Sequence, residues 1–125
     1  PILNVFENVG YPLLDTELST NNRHQIISEL LTAVGLQGLE KRFPNELSGG
    51  QRQRVAIARA LVNSPKIVLA DEPTANLDSE TGRIIIELMR QMNREKQVTF
   101  IMATHDHEII SRSDRLIKIL DGKIA

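Results

Sequence analysis

A chain of 125 residues with 41% hydrophobic and 25% charged residues has the make-up of an ordinary globular domain and enough length for one modest core. Fifteen basic residues against sixteen acidic ones, a formal net charge of -1, give no electrostatic footprint for nucleic acid. The absence of cysteine excludes a disulfide framework and a thiolate metal site, no apolar run reaches the roughly 18 residues of a membrane span, and Pro1-Ile2-Leu3-Asn4 lacks the basic start of a secretory signal.

Residues 1–20 read as a loop or short helix with an irregular apolar pattern from Ile2 to Leu14. Asn22 or Asn21 is placed to cap a helix in which Ile26, Ile27, Leu30, Leu31 and Val34 recur at helical spacing, with Gly35 as its stop. Residues 36–46, with Gly38 and Pro44, are a linker. After Leu47-Ser48-Gly49-Gly50-Gln51 comes a strong helix former, with Val55, Ala58, Leu61 and Val62 on its inner side, broken by Asn63-Ser64-Pro65. Ile67–Ala70 and Val98–Ala103 are continuous apolar runs of the kind found in strands buried on both faces. Between them Ser79 or Asp78 caps a helix carrying Ile84, Ile85, Leu88, Met89 and Met92, so the segment is a βαβ unit, expected to be parallel and right-handed. Asp106–Arg112 is a further helix, and Leu116–Leu120, Asp121-Gly122 and Lys123–Ala125 form a hairpin with a tight turn. The composition changes near Asn63, dividing a mainly helical part (residues 1–62) from one of alternating strands and helices (residues 63–125).

Three segments carry chemistry. In Leu47–Gln51, Ser48 is an N-cap candidate and the two glycines permit close backbone approach, so free N–H groups at a helix start are offered to an anion such as phosphate. Asp71 and Glu72 end a buried strand, where α/β sheets bind ligands. In nucleotide hydrolases an Asp there holds Mg²⁺ and an adjacent Glu polarises a water, although the pair in isolation also reads as a turn with two solvated acids. His105 directly follows the second run and is suited to donating to a γ-phosphate, or is a plain loop residue. His24 and His107 read as surface residues, and no metal-ligand spacing links the three histidines. Arg52, Arg54 and Arg59 are assigned to ion pairing or capping.

Taken in order, these segments resemble the ATP-binding subunit of an ABC transporter. Leu47–Gln51 matches the family signature, Ile67–Glu72 the Walker B strand, Ala75–Asp78 the D-loop and His105 the switch histidine. The resemblance implies an α/β fold: part of a P-loop NTPase core with parallel strands, preceded by a helical signature subdomain. It implies ATP and Mg²⁺ as ligands, with Asp71 linked to the metal, Glu72 as catalytic base and His105 on the γ-phosphate. It implies a head-to-tail dimer with a second ATP-binding subunit, in which Leu47, Ser48, Gly49, Gly50 and Gln51 face the partner's ATP and Asp78 crosses the interface. It further implies a transmembrane permease partner and a place on the cytoplasmic face of the cell membrane; from their position in the helical part, Phe6, Val9, Tyr11 and Leu13 are the expected contact surface. Residues 4–9, 71–82 and 114–123 look most like the lipoprotein-release and macrolide-export group (the LolD, MacB and FtsE type).

One departure stands out: no GxxxxGK[ST] loop occurs in these residues. The chain therefore reads as the C-terminal portion of such a subunit, inactive by itself, with the Val98–Ala103 strand left short of a neighbour and prone to oligomers or domain swapping. A chromosome-maintenance or DNA-repair ATPase head uses a related signature, but Gln51, the lack of coiled-coil heptads and the lack of a basic patch oppose that assignment. A non-enzymatic partner supplying only the signature side of a composite ATP site is the remaining alternative.

Overall fold

The computed structural model describes residues 1–125. Helix α1 (Val5–Gly10) opens the chain, capped by Asn4 in a reciprocal box: Asn4 Oδ1 accepts from the Glu7 N–H and Glu7 Oε2 from the Asn4 N–H. The N–H groups of Val5 and Phe6, unpartnered in any helix start, donate to the carbonyls of Arg42 and Glu40. That stitches α1 to the linker, which places Val9 and Leu13 inside the core. Burial of those two side chains removes them from the contact surface expected of Phe6, Val9, Tyr11 and Leu13; only the half-buried Phe6 and the exposed Tyr11 remain available.

Helix α2 (Thr20–Ala33) begins one turn earlier than expected, because the Ser19 hydroxyl rather than Asn21 or Asn22 caps it. Its end is a Schellman motif: Gly35, at φ 72°, donates to Thr32 O and Leu36 donates to Leu31 O. Leu31 and Leu36 are both fully buried across that turn. Helix α3 (Gly49–Leu61) follows the linker and seats Val55, Ala58, Leu61 and Val62, with Ile57 beside them.

Strands β1 (Ile67–Asp71) and β2 (Thr99–Ala103) lie parallel, Ile67 opposite Thr99 and Asp71 opposite Ala103, connected through α4 (Ser79–Lys96). Both were expected to be buried on two faces, and neither is. Period-two alternation turns Val68, Ala70, Phe100 and Met102 toward the core while Ile67, Leu69 and Ile101 face solvent, Leu69 at 76% exposure. The apolar runs match a sheet covered by helices on both sides, but these residues supply one helical layer only. With two strands in the sheet, each also has an unpaired edge.

Helix α5 (His107–Arg112) anchors through Ile109, and β3 (Ile119–Leu120) with β4 (Lys123–Ile124) close an exposed hairpin. Asp121 and Gly122 both take positive φ, 49° and 75°, as a type I′ turn requires. A single apolar core of 19 residues runs from Val5 to Val98 and joins α1, α2, α3 and α4. No helix is long and apolar enough to cross a membrane.

Candidate functional site

The C-terminal ends of β1 and β2 lie side by side, so the loops that follow them meet. Glu72 leaves β1 at φ 46°, a conformation disfavoured for a residue with a Cβ by roughly 1–2 kcal/mol. Two backbone bonds pin it there: Glu72 N–H donates to Ala103 O across the sheet, and Ala75 N–H donates to Glu72 O in the turn. The side chain consequently points at the loop after β2. Its Oε1 accepts from His105 Nδ1 at 2.7 Å and its Oε2 from the Thr104 hydroxyl at 3.0 Å. Asp71, one residue earlier, alternates to the uncovered side, and its side chain makes no hydrogen bond or ion pair.

These contacts set the protonation of Glu72. The hydrogen bond from His105 is the main influence holding its carboxyl below the usual range; partial burial opposes it and Thr104 adds to it. A carboxylate is an acceptor only, so His105 Nδ1 must be the protonated ring nitrogen, leaving Nε2 free on a side chain that is 91% exposed.

Asp78 and Asp106 are also held low. Asp78 caps α4, accepting from the Thr81 hydroxyl at 2.6 Å and from the Thr81 N–H, and the hydroxyl is the larger cause. Asp106 caps α5 through the Glu108 N–H, the first cause of its lowered pKa, and also accepts from Thr74.

At α3, Ser48 and Gln51 form a second capping box: Ser48 Oγ accepts from the Gln51 N–H, and Gln51 Oε1 accepts from the Ser48 N–H. Gly49 and Gly50 are the first two helical residues and have ordinary helical φ; what they provide is room. A Cβ on Gly50 would run into Thr81 Cγ2, and one on Gly49 would lie 3.3 Å from Leu77 Cδ2. The helix start therefore abuts the 77–81 segment. Leu47 does not offer its side chain to a ligand, being 6% exposed and part of the core. None of the three arginines forms an ion pair: Arg52 donates to Leu47 O at 2.6 Å, Arg54 to the α2 terminal carbonyl of Val34, and Arg59 to Asn8 Oδ1.

The structure thus brings Glu72 and His105 into contact with Asp71 adjacent, and separately brings Ser48–Gln51 against the Leu77–Thr81 segment that holds Asp78. A surface hollow of about 630 Å³ lies instead among Pro1, Gly38, Lys41, Arg42, Phe43, Asn45 and Glu46, and contains no residue of either group. With one apolar residue and an open rim it makes a poor pocket for a ligand. Sequence reasoning missed Thr74, Thr104 and Asp106 as parts of this network; the one available signal was an Asp-x-x pattern opening a helix, which marks a cap and nothing more.

The Mg²⁺ implied by the resemblance is compatible with Asp71. This ion takes one or two carboxylates from a protein and completes its shell with water and phosphate oxygens. A free, exposed carboxylate at a strand end fits that demand, and no three His, Asp or Glu side chains gather into a site that would take the whole ion.

Comparison with known proteins gives concordant results. The family model described as ABC transporter matches residues 1–75. The ABC transporter ATP-binding protein YtrE of Bacillus subtilis is 47% identical over 122 residues, 98% of this chain and 53% of its own length. The lipoprotein-releasing system ATP-binding protein LolD 1 of Rhodopseudomonas palustris is 46% identical over 120 residues, 95% of this chain and 53% of its own. Among solved structures, the dimeric ATP-binding cassette MJ0796 bound to ADP and Pi superposes with a TM-score of 0.83 at 41% identity, over 99% of this chain and 55% of that one. The chain spans about half the length of the curated relatives it matches.

Proposed function

The chain belongs to the ABC transporter ATP-binding family, and from that premise we propose that it forms the signature and catalytic-carboxylate portion of an ATPase subunit that drives transport across a membrane. The observation that carries the reading is the 2.7 Å contact between Glu72 and His105, residues 33 positions apart, at the ends of adjoining parallel strands. In this reading Glu72, ionised at neutral pH, accepts a proton from the water that attacks the γ-phosphate. Two of its roughly four lone-pair positions are taken by His105 and Thr104, which leaves room for that water. His105 turns Nε2 toward a γ-phosphate oxygen and donates to it when the ring is protonated. Asp71 would hold Mg²⁺, which would supply neutralisation of phosphate charge.

The second ATP-binding subunit meets this one head to tail. Ser48, Gly49, Gly50 and Gln51 then present the α3 N-terminus to the partner's ATP, with Asp78 alongside at the interface. A permease subunit docks on the helical part near Tyr11 and Phe6, which places the assembly at the cytoplasmic face of the membrane. MJ0796, a structural neighbour, is described as dimeric and bound to ADP and Pi, which supports the sandwich and the nucleotide.

Residues 1–125 contain no GxxxxGK[ST] segment, so the amides and lysine that cradle β- and γ-phosphates are missing from this set. We expect the 125-residue polypeptide to bind Mg-ATP with a dissociation constant weaker than about 1 mM, and the full-length protein to bind it far more tightly. Isothermal calorimetry on the two checks this; micromolar affinity in the short polypeptide would defeat it. The same polypeptide exposes Leu69, Ile67 and Ile101 beside two free strand edges. It is expected to self-associate, read as a concentration-dependent mass in light scattering, and a constant monomer mass would contradict this.

A further inference from the structure

Resting on the reading of Glu72 as the base, we propose that Thr104 and Thr74 are positioning residues: a one-way relay of hydrogen bonds, Thr74 to Asp106 to Thr104 to Glu72, clasps the loop after β2 to the loop after β1 and fixes the direction of the Glu72 carboxylate. The relay has four members and each proton has one possible destination. Asp106 Oδ2 only accepts, so the Thr74 hydroxyl donates to it, at 2.9 Å. Asp106 N–H donates to Thr104 Oγ1 at 3.0 Å. Having accepted there, the Thr104 hydroxyl has its own proton left for Glu72 Oε2, at 3.0 Å.

Capping alone does not account for this arrangement. Asp106 already caps α5 with Oδ1, at 2.8 Å from the Glu108 N–H, and the contact to Thr74 uses the other oxygen. Thr74 is the only buried residue with a polar side chain, and its Cβ and methyl group lie 3.6 Å from the position a Cβ on Gly82 would take, against the first turn of α4. The relay therefore starts on a fixed point of the helix layer and ends on the reacting carboxylate. The two bonds to Glu72 also differ in kind. His105 is almost fully exposed, so its contact is free to exchange for a ligand. Thr104 is half-buried and held at both ends, so its bond keeps Glu72 aimed when the histidine leaves.

The test compares steady-state ATP hydrolysis by the full-length protein with that of Thr104→Val, Thr104→Ser, Thr74→Val and Glu72→Gln. Thr104→Val should lower kcat about ten- to a hundredfold, the size expected for losing one hydrogen bond to a charged group. KM for ATP should stay within about twofold, since no phosphate contact is removed. Thr104→Ser restores the hydroxyl and should bring kcat back to within about threefold of the parent. Thr74→Val, which touches no part of Glu72, should lower kcat in the same direction at unchanged KM. The proposal is overturned by parental kcat in both valine variants alongside an inactive Glu72→Gln, or by Thr104→Ser failing as badly as Thr104→Val. Full turnover in Glu72→Gln would instead remove the base assignment, and the relay would have nothing to aim.

Discussion

Glu72→Gln in the full-length protein is expected to reduce ATP turnover by about 10²–10⁴-fold, the range over which a positioned general base contributes, while leaving nucleotide binding nearly intact. The substitution keeps length, shape and the backbone turn, in which the Ala103 carbonyl and Ala75 N–H hold residue 72 whatever its side chain. It removes the capacity to take a proton. It also disturbs the local network, because a carboxylate offers an acceptor to both His105 and Thr104 while an amide offers one oxygen and one donor group. To keep both contacts the amide must donate to the Thr104 hydroxyl or to the His105 ring, which reverses the direction of one of them. The exposed His105 contact contributes little to folding, because solvent screens a pair on the surface. The loss of the base therefore dominates the phenotype. Measurement of kcat and KM for ATP hydrolysis, with calorimetric binding as the companion, checks the split; turnover within a small factor of the parent would assign the base elsewhere.

Much of this arrangement was legible in the residues. The two apolar runs, the helix between them and the Asp121-Gly122 turn each have a local signature, and each element forms where its signature lies. The signature serine caps α3, and the glutamine three residues on completes the box. What stayed hidden has a common cause: it depends on groups far apart in sequence or on layers rather than runs. An apolar strand reads the same whether one or two faces are covered, so the exposure of Leu69 and Ile101 could not be foreseen from β1 and β2 alone. The bonds of Thr74 and Thr104 to Asp106 and Glu72 span 32 residues each and leave no periodicity to detect. Arginines on a helix suggest ion pairs or caps; Arg54 does cap, on the α2 terminal carbonyl, while Arg52 donates to a loop carbonyl that sequence does not reveal as unpartnered. The choice of Ser19 over two nearby asparagines was a contest among good caps, which local preference cannot decide.

The two glycines of the signature have a packing role that the sequence did not reveal, and they lead to the second large expectation. Gly50→Ala should destabilise the protein by about 1–3 kcal/mol, as expected for overpacking a close contact. Helix preference alone predicts the opposite, since Ala exceeds Gly by about 0.8–1.0 kcal/mol in a helix interior and by less in a first turn. Sterics win because the new methyl meets Thr81 Cγ2, and Thr81 cannot swing aside cheaply. Its side chain is β-branched, and its hydroxyl is committed to Asp78 at 2.6 Å, so rotating it would break the cap of α4. Gly49→Ala should be milder, since its neighbour is the mobile end of Leu77 at 3.3 Å. Thr81→Ser removes the offending methyl and retains the hydroxyl for Asp78. The double variant Gly50→Ala with Thr81→Ser should therefore recover most of the lost stability, a positive coupling measurable as a double-mutant cycle in urea midpoints. An alanine at 50 that matches or exceeds the parent, or a serine at 81 that rescues nothing, would show that the α3 start does not rest on the Asp78 loop. The α3 start, which the proposed function offers to a partner's nucleotide, thus packs directly on Thr81, the residue that ties down the Asp78 carboxylate.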